Sequence, residues 1–254
     1  KKIYAINRQE INNLKSNIQL CKDLYDERLG VGNWALTNYG GGTKVLVRNE
    51  TGFHYGYCQL KESMVDDINK YFNNDPLHSS IIWRIHLLSS AINSCKHLEG
   101  DFIEFGCYDA KVAESLIEYN GLSEVDKTFY LYDIFDNPPT ERGEKHSPEL
   151  FDEVSSRLSK YNFVKIVKGL LPESFEKDIP DKLSFVHMDL NSAETEIALL
   201  ELFFDKLVAG GILMLDDYAT MGYEKQYFSE KEFFKNRNYS VVELPTGQGI
   251  VIKR

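Results

Sequence analysis

Three aspartates stand at the ends of two short apolar runs that are separated by a helical segment. Asp189 closes the run SFVHMD, and Asp216 and Asp217 close the run ILMLDD. Two such runs around a helix predict a βαβ unit with parallel strands. Parallel strands bring their carboxyl ends to the edge of the sheet where open α/β sheets bind ligands, so we expect the three carboxylates to lie together.

Carboxylates crowded in this way repel one another unless a cation lies between them. An all-oxygen set favours Mg²⁺ or Mn²⁺, whereas zinc usually takes Cys or His ligands. The sequence therefore predicts a divalent-cation site at Asp189, Asp216 and Asp217. The alternative is that each aspartate only caps a strand or forms a turn, which is a frequent use of this residue type.

The helix that positions these strands has recognisable limits. Ser192 is a suitable N-cap, and Glu194 and Glu196 suit the positive end of the helix dipole. The pair Gly210–Gly211 is predicted to end the helix. One apolar face at helical spacing should pack against the sheet, and it consists of Ile197, Leu200, Phe204 and Leu207.

Length and composition allow one full domain with an appendage. The chain has 254 residues, 43% of them hydrophobic, and a formal charge of −10, which argues against a nucleic-acid partner. No apolar stretch reaches membrane-spanning length, and no signal peptide is recognised. Scattered cysteines without a CxxC motif favour a reduced, cytoplasmic compartment. The first residue is Lys and not Met, which is expected either for a domain of a longer chain or for the residue of a cleaved tag.

Residues 1–77 form the predicted appendage. A mostly polar helical pattern over 1–28 suits a docking or homo-oligomer contact. The runs VLVR and FHYGYC flank NETG and predict a β-hairpin. Nearby aromatic side chains suit either a stacking wall for a sugar or ring substrate or a small core or subunit interface. They are Trp34, Tyr39, Phe53, Tyr55 and Tyr57.

From residue 78 onward, strand and helix patterns alternate. The predicted strands are DFIEFG, TFYLYD, FVKIVKG, LSFVHMD, GILMLDD, YSVVELP and GIVIKR, the last two as an antiparallel pair. Helical patterns lie near 78–98, 111–120, 147–160, 192–208 and 223–236. This alternation predicts an α/β fold with a doubly wound, seven-stranded Rossmann-like sheet and helices on both faces.

A cofactor site is predicted at the first two strands of this sheet. Glu104 and Gly106 stand at the end of the first strand, where glycine allows close backbone approach and a following helix N-terminus favours an anion. Asp133 ends the second strand, a position that commonly accepts hydrogen bonds from ribose hydroxyls. Together they indicate an adenosine-containing ligand, although the dinucleotide motif GxGxxG is absent.

The stretch 78–254 resembles the macrocin O-methyltransferase family, whose S-adenosylmethionine-dependent enzymes methylate sugar hydroxyls of macrolide- and aminocoumarin-type glycosides. The matching pieces, in order, are GDFIEFG, LYDIFDNPP, VKGLLPESF, FVHMDLNSAETE, LVAGGILMLDDY and TGQGIVIKR. The resemblance implies that the cofactor lies along Glu104, Gly106 and Asp133, with Gly169 and Leu170 near the adenine. It also implies a magnesium site at Asp189, Asp216 and Asp217.

The chain departs from the family pattern at two places. Ala110, Lys111 and Val112 replace a Gly-Gly-Ser that shapes the methionine-binding turn in the family. Asn191 stands where the family has a second aspartate, so that one charge is missing. The first 77 residues match no recognised family, so choice of acceptor is expected to lie there.

The sequence therefore predicts a metal-assisted sugar O-methyltransferase with Asp189 as the base. His187 shares a strand face with Phe185 and Asp189, and it is assigned either as a hydrogen-bonded interior histidine or as a catalytic residue. Catechol-type methylation is an alternative, because it also uses a metal and strand-end acids. A non-catalytic cofactor-binding module is the other alternative.

Overall fold

The structure is a computed structural model that describes residues 34–39, 43–48, 82–135, 148–220, 222–244 and 246–254. Two strands of the appendage are included, β1 (Trp34–Tyr39) and β2 (Thr43–Arg48), and they pair antiparallel. The predicted strand VLVR is thus present, paired with the residues before it. Its predicted partner FHYGYC lies outside the described residues.

The region that follows the appendage contains seven further strands in one sheet. They are β3 (Asp101–Phe105), β4 (Phe129–Asp133), β5 (Val164–Lys168), β6 (Leu183–Met188), β7 (Leu207–Leu215), β8 (Val242–Glu243) and β9 (Gly249–Ile252). Their order is β5-β4-β3-β6-β7-β9-β8. β3 to β7 are parallel, and β9 is antiparallel to both neighbours. The predicted doubly wound sheet and the antiparallel terminal pair are confirmed.

Helices cover both faces of this sheet. They are α1 (Ile82–Cys95), α2 (Lys111–Asn120), α3 (Pro148–Leu158), α4 (Glu173–Glu176), α5 (Ala193–Phe203) and α6 (Glu224–Asn236). α1, α2 and α3 pack on one face around Phe102, Phe129 and Phe185. α4, α5 and α6 pack on the other face around Phe105 and Val186. Edge-to-face contacts between buried aromatic rings tighten both layers.

The helix between β6 and β7 begins as predicted but ends earlier. Ser192 caps it by accepting a hydrogen bond from the Thr195 N–H at 3.4 Å. The α-helix stops at Phe203, a 3₁₀ turn follows, and β7 starts at Leu207. Gly210–Gly211 therefore lies inside β7, and its prediction as the helix terminator was wrong. Gly210 has φ +84°, a left-handed conformation that glycine adopts without strain inside this strand.

Two further observations concern the helices and the cysteines. In the part of the chain that the structure describes, no helix combines the length and apolar character needed to cross a membrane. Cys95 and Cys107 are buried free thiols.

A buried acid pair joins the helices α5 and α6. Glu196 and Glu230 are each 0% exposed, and the ionisation of each carboxyl group affects that of the other. Burial raises the pKa of Glu230 from 4.5 to about 7. Burial and the charge of Glu230 raise the pKa of Glu196 well above its ordinary value. The pair therefore retains a proton in the folded protein at mildly acidic pH.

This pair predicts a pH-dependent stability. Between pH 4.5 and about 7 the folded chain holds a proton on Glu230 that the unfolded chain releases, so the free energy of unfolding falls as pH rises through this window. Glu230→Gln removes the titrating carboxyl group, so the free energy of unfolding no longer falls for this reason as pH rises. The glutamine amide can also donate a hydrogen bond to Glu196. We expect this variant to stabilise the protein by roughly 1–3 kcal/mol at pH near 8 and by less than about 0.5 kcal/mol at pH 4.5.

Urea unfolding of the variant and the wild type across this pH range measures the difference in their free energies of unfolding. Glu232→Gln, exposed on the same helix, is the control, and a stability difference that does not vary with pH would refute the prediction.

Candidate active site at the carboxyl edge of the sheet

The candidate site lies where the strand order reverses, between β3 and β6. The two strand ends approach closely, since the Asp189 N–H donates to the Phe105 carbonyl at 2.9 Å. Gly106 has φ +83°, and a Cβ there would lie 1.9 Å from the Asp189 carbonyl oxygen. The neighbouring backbone therefore requires glycine at this position, whether or not the predicted cofactor binds there.

The three predicted aspartates meet at this edge. Oxygens from the carboxylates of Asp189, Asp216 and Asp217 lie within 4.8 Å of one another. This distance confirms their predicted proximity. The carboxylates meet because β6 and β7 are parallel neighbours in the sheet. Metal binding by this aspartate cluster stays a prediction.

An arginine that the sequence analysis missed binds two members of the aspartate cluster. Arg84, in the first turn of α1, donates from Nη1 to Asp216 and from Nη2 to Asp217 Oδ1, the latter at 3.1 Å. Burial lowers the Arg84 pKa, but the charges of Asp216 and Asp217 outweigh it, so the pKa lies above its ordinary value. A cation inside the apolar run IIWRIHLL was the available signal, since an unpaired charge is rarely buried.

His187 links the first strand to the aspartate cluster. Its Nδ1 lies 2.9 Å from Glu104 Oε1, and its Nε2 lies 3.5 Å from Asp216 Oδ1. Burial alone would lower the pKa of His187, but the hydrogen bonds to Asp216 and Glu104 raise it to about 10. The imidazole is therefore positively charged at neutral pH. Its prediction as a hydrogen-bonded interior histidine agrees with this geometry.

Asp216 is the most heavily bonded carboxylate of the site. Besides Arg84 and His187, Gln248 donates to its Oδ1 from Nε2 at 2.8 Å. Gln248 is itself held by a 3.0 Å hydrogen bond from the Thr246 hydroxyl. Burial would raise the pKa of Asp216, but Arg84, His187 and Gln248 lower it to about 2. Asp216 is thus a permanent anion at neutral pH.

The other two aspartates behave in the opposite way. Burial, and then the charge of Asp216, raises the pKa of Asp189 well above its ordinary value. The same two causes raise the pKa of Asp217, although Arg84 opposes them. One anchored anion therefore stands beside two carboxylates that accept protons more readily.

The predicted cofactor residues lie along the ends of β3, β4 and β5. Glu104 is buried, and its Oε2 has no hydrogen-bond partner among the described residues. Asp133 accepts the backbone N–H groups of Tyr108 and Phe135, each at 2.8 Å. The Gly169 N–H donates to the Asp133 carbonyl at 3.0 Å, and Leu170 follows with 60% of its surface exposed. The structure thus groups them at one edge, next to the aspartate cluster.

The two places where the sequence departs from the pattern that it resembles include residues with left-handed backbone. Ala110 has φ +53° at the start of α2, a conformation that glycine adopts more freely than alanine. Asn191 has φ +56° and is solvent-exposed, and Asn is among the residues that tolerate this conformation best.

Comparison with known proteins identifies the fold. No protein-family model matches the chain, and no curated protein sequence does. Among solved structures, the O-methyltransferase NovP is 16% identical with a TM-score of 0.55, over 68% of this chain and 80% of NovP. CalS11, a TDP-rhamnose 3'-O-methyltransferase of calicheamicin biosynthesis, is 12% identical with a TM-score of 0.54, over 78% and 98%. The Podospora anserina methyltransferase PaMTH1, solved with SAH bound, is 11% identical with a TM-score of 0.54, over 100% and 99%. The chain has the Rossmann-like fold of these methyltransferases.

Proposed function

We propose that the protein is an S-adenosylmethionine-dependent O-methyltransferase of the macrocin type that acts on a sugar hydroxyl. The observation that carries this proposal is the position of the aspartate cluster at the switch point of a methyltransferase-type sheet, beside the buried acids Glu104 and Asp133. Glu104 and Asp133 are suited to bind a cofactor, and the aspartate cluster is suited to activate the acceptor hydroxyl. The O-methyltransferase NovP and the TDP-rhamnose 3'-O-methyltransferase CalS11 add support through their fold.

The cofactor would lie across the ends of β3, β4 and β5. Glu104 Oε2 has no hydrogen-bond partner in the part of the chain that the structure describes, and it suits an ammonium group such as that of the methionine moiety. Asp133 would accept hydrogen bonds from ribose hydroxyls, because each carboxylate oxygen can accept more than one hydrogen bond. Gly169 and the exposed Leu170 would border the adenine. Gly106 would lie at the same edge, where its lack of a side chain lets β3 approach the Asp189 backbone closely.

The donor set fits a hard divalent cation, since the aspartate cluster supplies oxygen ligands alone within 4.8 Å. A cation such as Mg²⁺ or Mn²⁺ would supply Lewis acidity, which lowers the pKa of a bound sugar hydroxyl. Asp189 would accept the proton of that hydroxyl as the oxygen takes the methyl group from the sulfonium. His187 would act as a positioning residue that orients Asp216 through its positive charge.

The remaining parts of the proposal concern partners. We assign selection of the sugar-containing acceptor to residues 1–77, because these residues are rich in aromatic side chains and lie outside the part that resembles the family. A homo-oligomer contact through 1–28 and a cytoplasmic location complete the proposal, with no nucleic-acid or membrane partner.

A direct assay separates the proposed function from its alternatives. Purified protein is incubated with S-adenosylmethionine, Mg²⁺ and either glycosides with vicinal hydroxyls or simple catechols, and methylated products are identified by mass spectrometry. Methylation of glycosides alone supports the proposal. Methylation of catechols alone supports the catechol-type alternative. Cofactor binding without turnover of either class supports a non-catalytic module.

Cofactor binding provides a prediction for Asp133. Asp133→Ala should weaken binding of S-adenosylhomocysteine by about 1–3 kcal/mol, or roughly 5- to 150-fold, because hydrogen bonds to a charged group are lost. Isothermal titration calorimetry measures this, and circular dichroism confirms that the variant is folded. Asp152→Ala, at an exposed position of α3, should bind like the wild type. Equal affinity of the two variants would refute the assignment.

A further inference from the structure

Arg84 and the proposed metal depend on the same carboxylate oxygens. Arg84 donates to Asp216 Oδ2 and to Asp217 Oδ1, and its Nη2 also lies 3.4 Å from the Thr220 hydroxyl. Only 11% of its side chain is exposed. Because arginine stays protonated in proteins, the guanidinium is a fixed positive charge at the aspartate cluster.

The second oxygen of Asp216 offers no free alternative. Gln248 donates to Asp216 Oδ1 at 2.8 Å, and His187 Nε2 lies 3.5 Å from the same atom. A cation that takes Asp216 and Asp217 as ligands must therefore displace the guanidinium or share these oxygens with it. Two cations so close together in a buried site repel each other, which favours displacement.

The hydrogen bonding of Arg84 is also incomplete. Its Nε is buried and has no acceptor among the described residues, although both Nη groups are bonded. A buried donor without a partner costs free energy, so the guanidinium is held mainly by its charge and not by a full set of hydrogen bonds. A guanidinium held in this way can be displaced by a cation that binds the carboxylates more strongly.

We propose that Arg84 is the internal counter-cation of the aspartate cluster, that it competes with the divalent cation for Asp216 and Asp217, and that it thereby sets the metal affinity. This inference rests on the proposed metal-assisted function. Without metal, Arg84 keeps the carboxylates from repelling one another. With metal, Arg84 releases them, and its guanidinium becomes available to other acceptors at the edge of the sheet.

Mn²⁺ binding to the full-length protein without S-adenosylmethionine tests the proposal. Free Mn²⁺ is counted by electron paramagnetic resonance, and calorimetry gives an independent dissociation constant. Arg84→Gln, which removes the charge and keeps a polar side chain, should bind Mn²⁺ at least about tenfold more tightly than the wild type. Arg84→Lys keeps the charge but has no fork to bridge two carboxylates, so its affinity should lie between the two. Arg237→Gln, which removes an arginine paired with Glu201, should match the wild type.

Thermal unfolding supplies a readout that does not depend on turnover. In EDTA, Arg84→Gln should melt below the wild type because the carboxylates lose their counter-cation, and saturating Mn²⁺ should raise its melting temperature more than it raises that of the wild type. If Arg84→Gln does not fold, the same comparison is made with Arg84→Lys, which must then exceed the wild type in Mn²⁺ affinity.

The outcomes separate this inference from the proposed function. Equal Mn²⁺ affinity in the wild type and both Arg84 variants would overturn the competition and leave the metal site intact. Weaker binding in the variants would also overturn it, because Arg84 would then assist the metal. Absence of Mn²⁺ binding in every variant would overturn both the inference and the metal-assisted part of the proposed function.

Discussion

Asp216→Asn should lower the rate of methyl transfer by at least about a hundredfold, a typical loss when a group that stabilises the transition state is removed. Affinity for S-adenosylhomocysteine should stay within about threefold, since Asp216 lies outside the residues proposed to hold the cofactor. The substitution keeps the shape of the side chain and removes the charge that binds Arg84, His187 and Gln248. Two buried cations then lose their shared anion, so the site loses its fixed geometry as well as a metal ligand.

The same substitution should destabilise the fold. Breaking a buried ion pair by removing one partner costs about 3–5 kcal/mol, because the other charge stays buried without compensation. Since Asp216 has a pKa of about 2, the wild-type interaction is complete at neutral pH and is lost only as the pH falls toward that value. Urea unfolding at pH 7 checks the loss, and steady-state methyl transfer with saturating acceptor checks the rate.

Two controls sharpen the result. Asp205→Asn removes an aspartate whose side chain is 96% exposed, so its activity and stability should match the wild type. Excess EDTA on the wild type should reproduce the loss of activity in Asp216→Asn without a comparable loss of stability, because Arg84 remains to neutralise the carboxylates. Full activity in EDTA, with no metal found in the protein, would mean that the carboxylates serve only acid–base or structural roles.

The meeting of the aspartates was predictable from the sequence for a local reason. Asp189 and the pair Asp216–Asp217 each follow a short apolar run, and parallel strands leave little choice about where such ends lie. The interior position of His187 followed from the alternation of residues along one strand. Both inferences use patterns with short sequence spacing, which a single sequence shows directly.

The partners of these residues were not predictable in the same way. Arg84 lies 132 residues from Asp216, and no periodic pattern connects α1 to the end of β7. Gln248 reaches Asp216 only because β9 pairs antiparallel with β7. The end of α5 was misplaced because Leu207 continues the helical spacing while it begins a strand, so tertiary pairing overrode the local pattern. Long-range contacts therefore determine the charges of the site, while local patterns determine its location.

Gly106→Ala should be among the most damaging single-methyl additions in this chain. A Cβ at Gly106 would lie 1.9 Å from the carbonyl oxygen of Asp189 and 2.9 Å from its carbonyl carbon, and these are backbone atoms that cannot rotate away. The residue also has φ +83°, which strains any residue with a side chain. We expect a loss of at least about 3 kcal/mol in the free energy of unfolding.

Gly121→Ala is the matched control for this loss. Gly121 also has positive φ, at +61°, but a Cβ there meets nothing within 4 Å, so only the backbone term of about 1–2 kcal/mol applies. The difference in stability between the two variants isolates the contact with Asp189.

Any Gly106→Ala protein that folds must move the Asp189 backbone, and with it a member of the aspartate cluster. Its Mn²⁺ affinity and its rate of methyl transfer should therefore fall, while those of Gly121→Ala stay unchanged. Equal losses in the two variants, measured by urea unfolding, would show that β3 and β6 do not approach each other as closely at Gly106 as the structure has them.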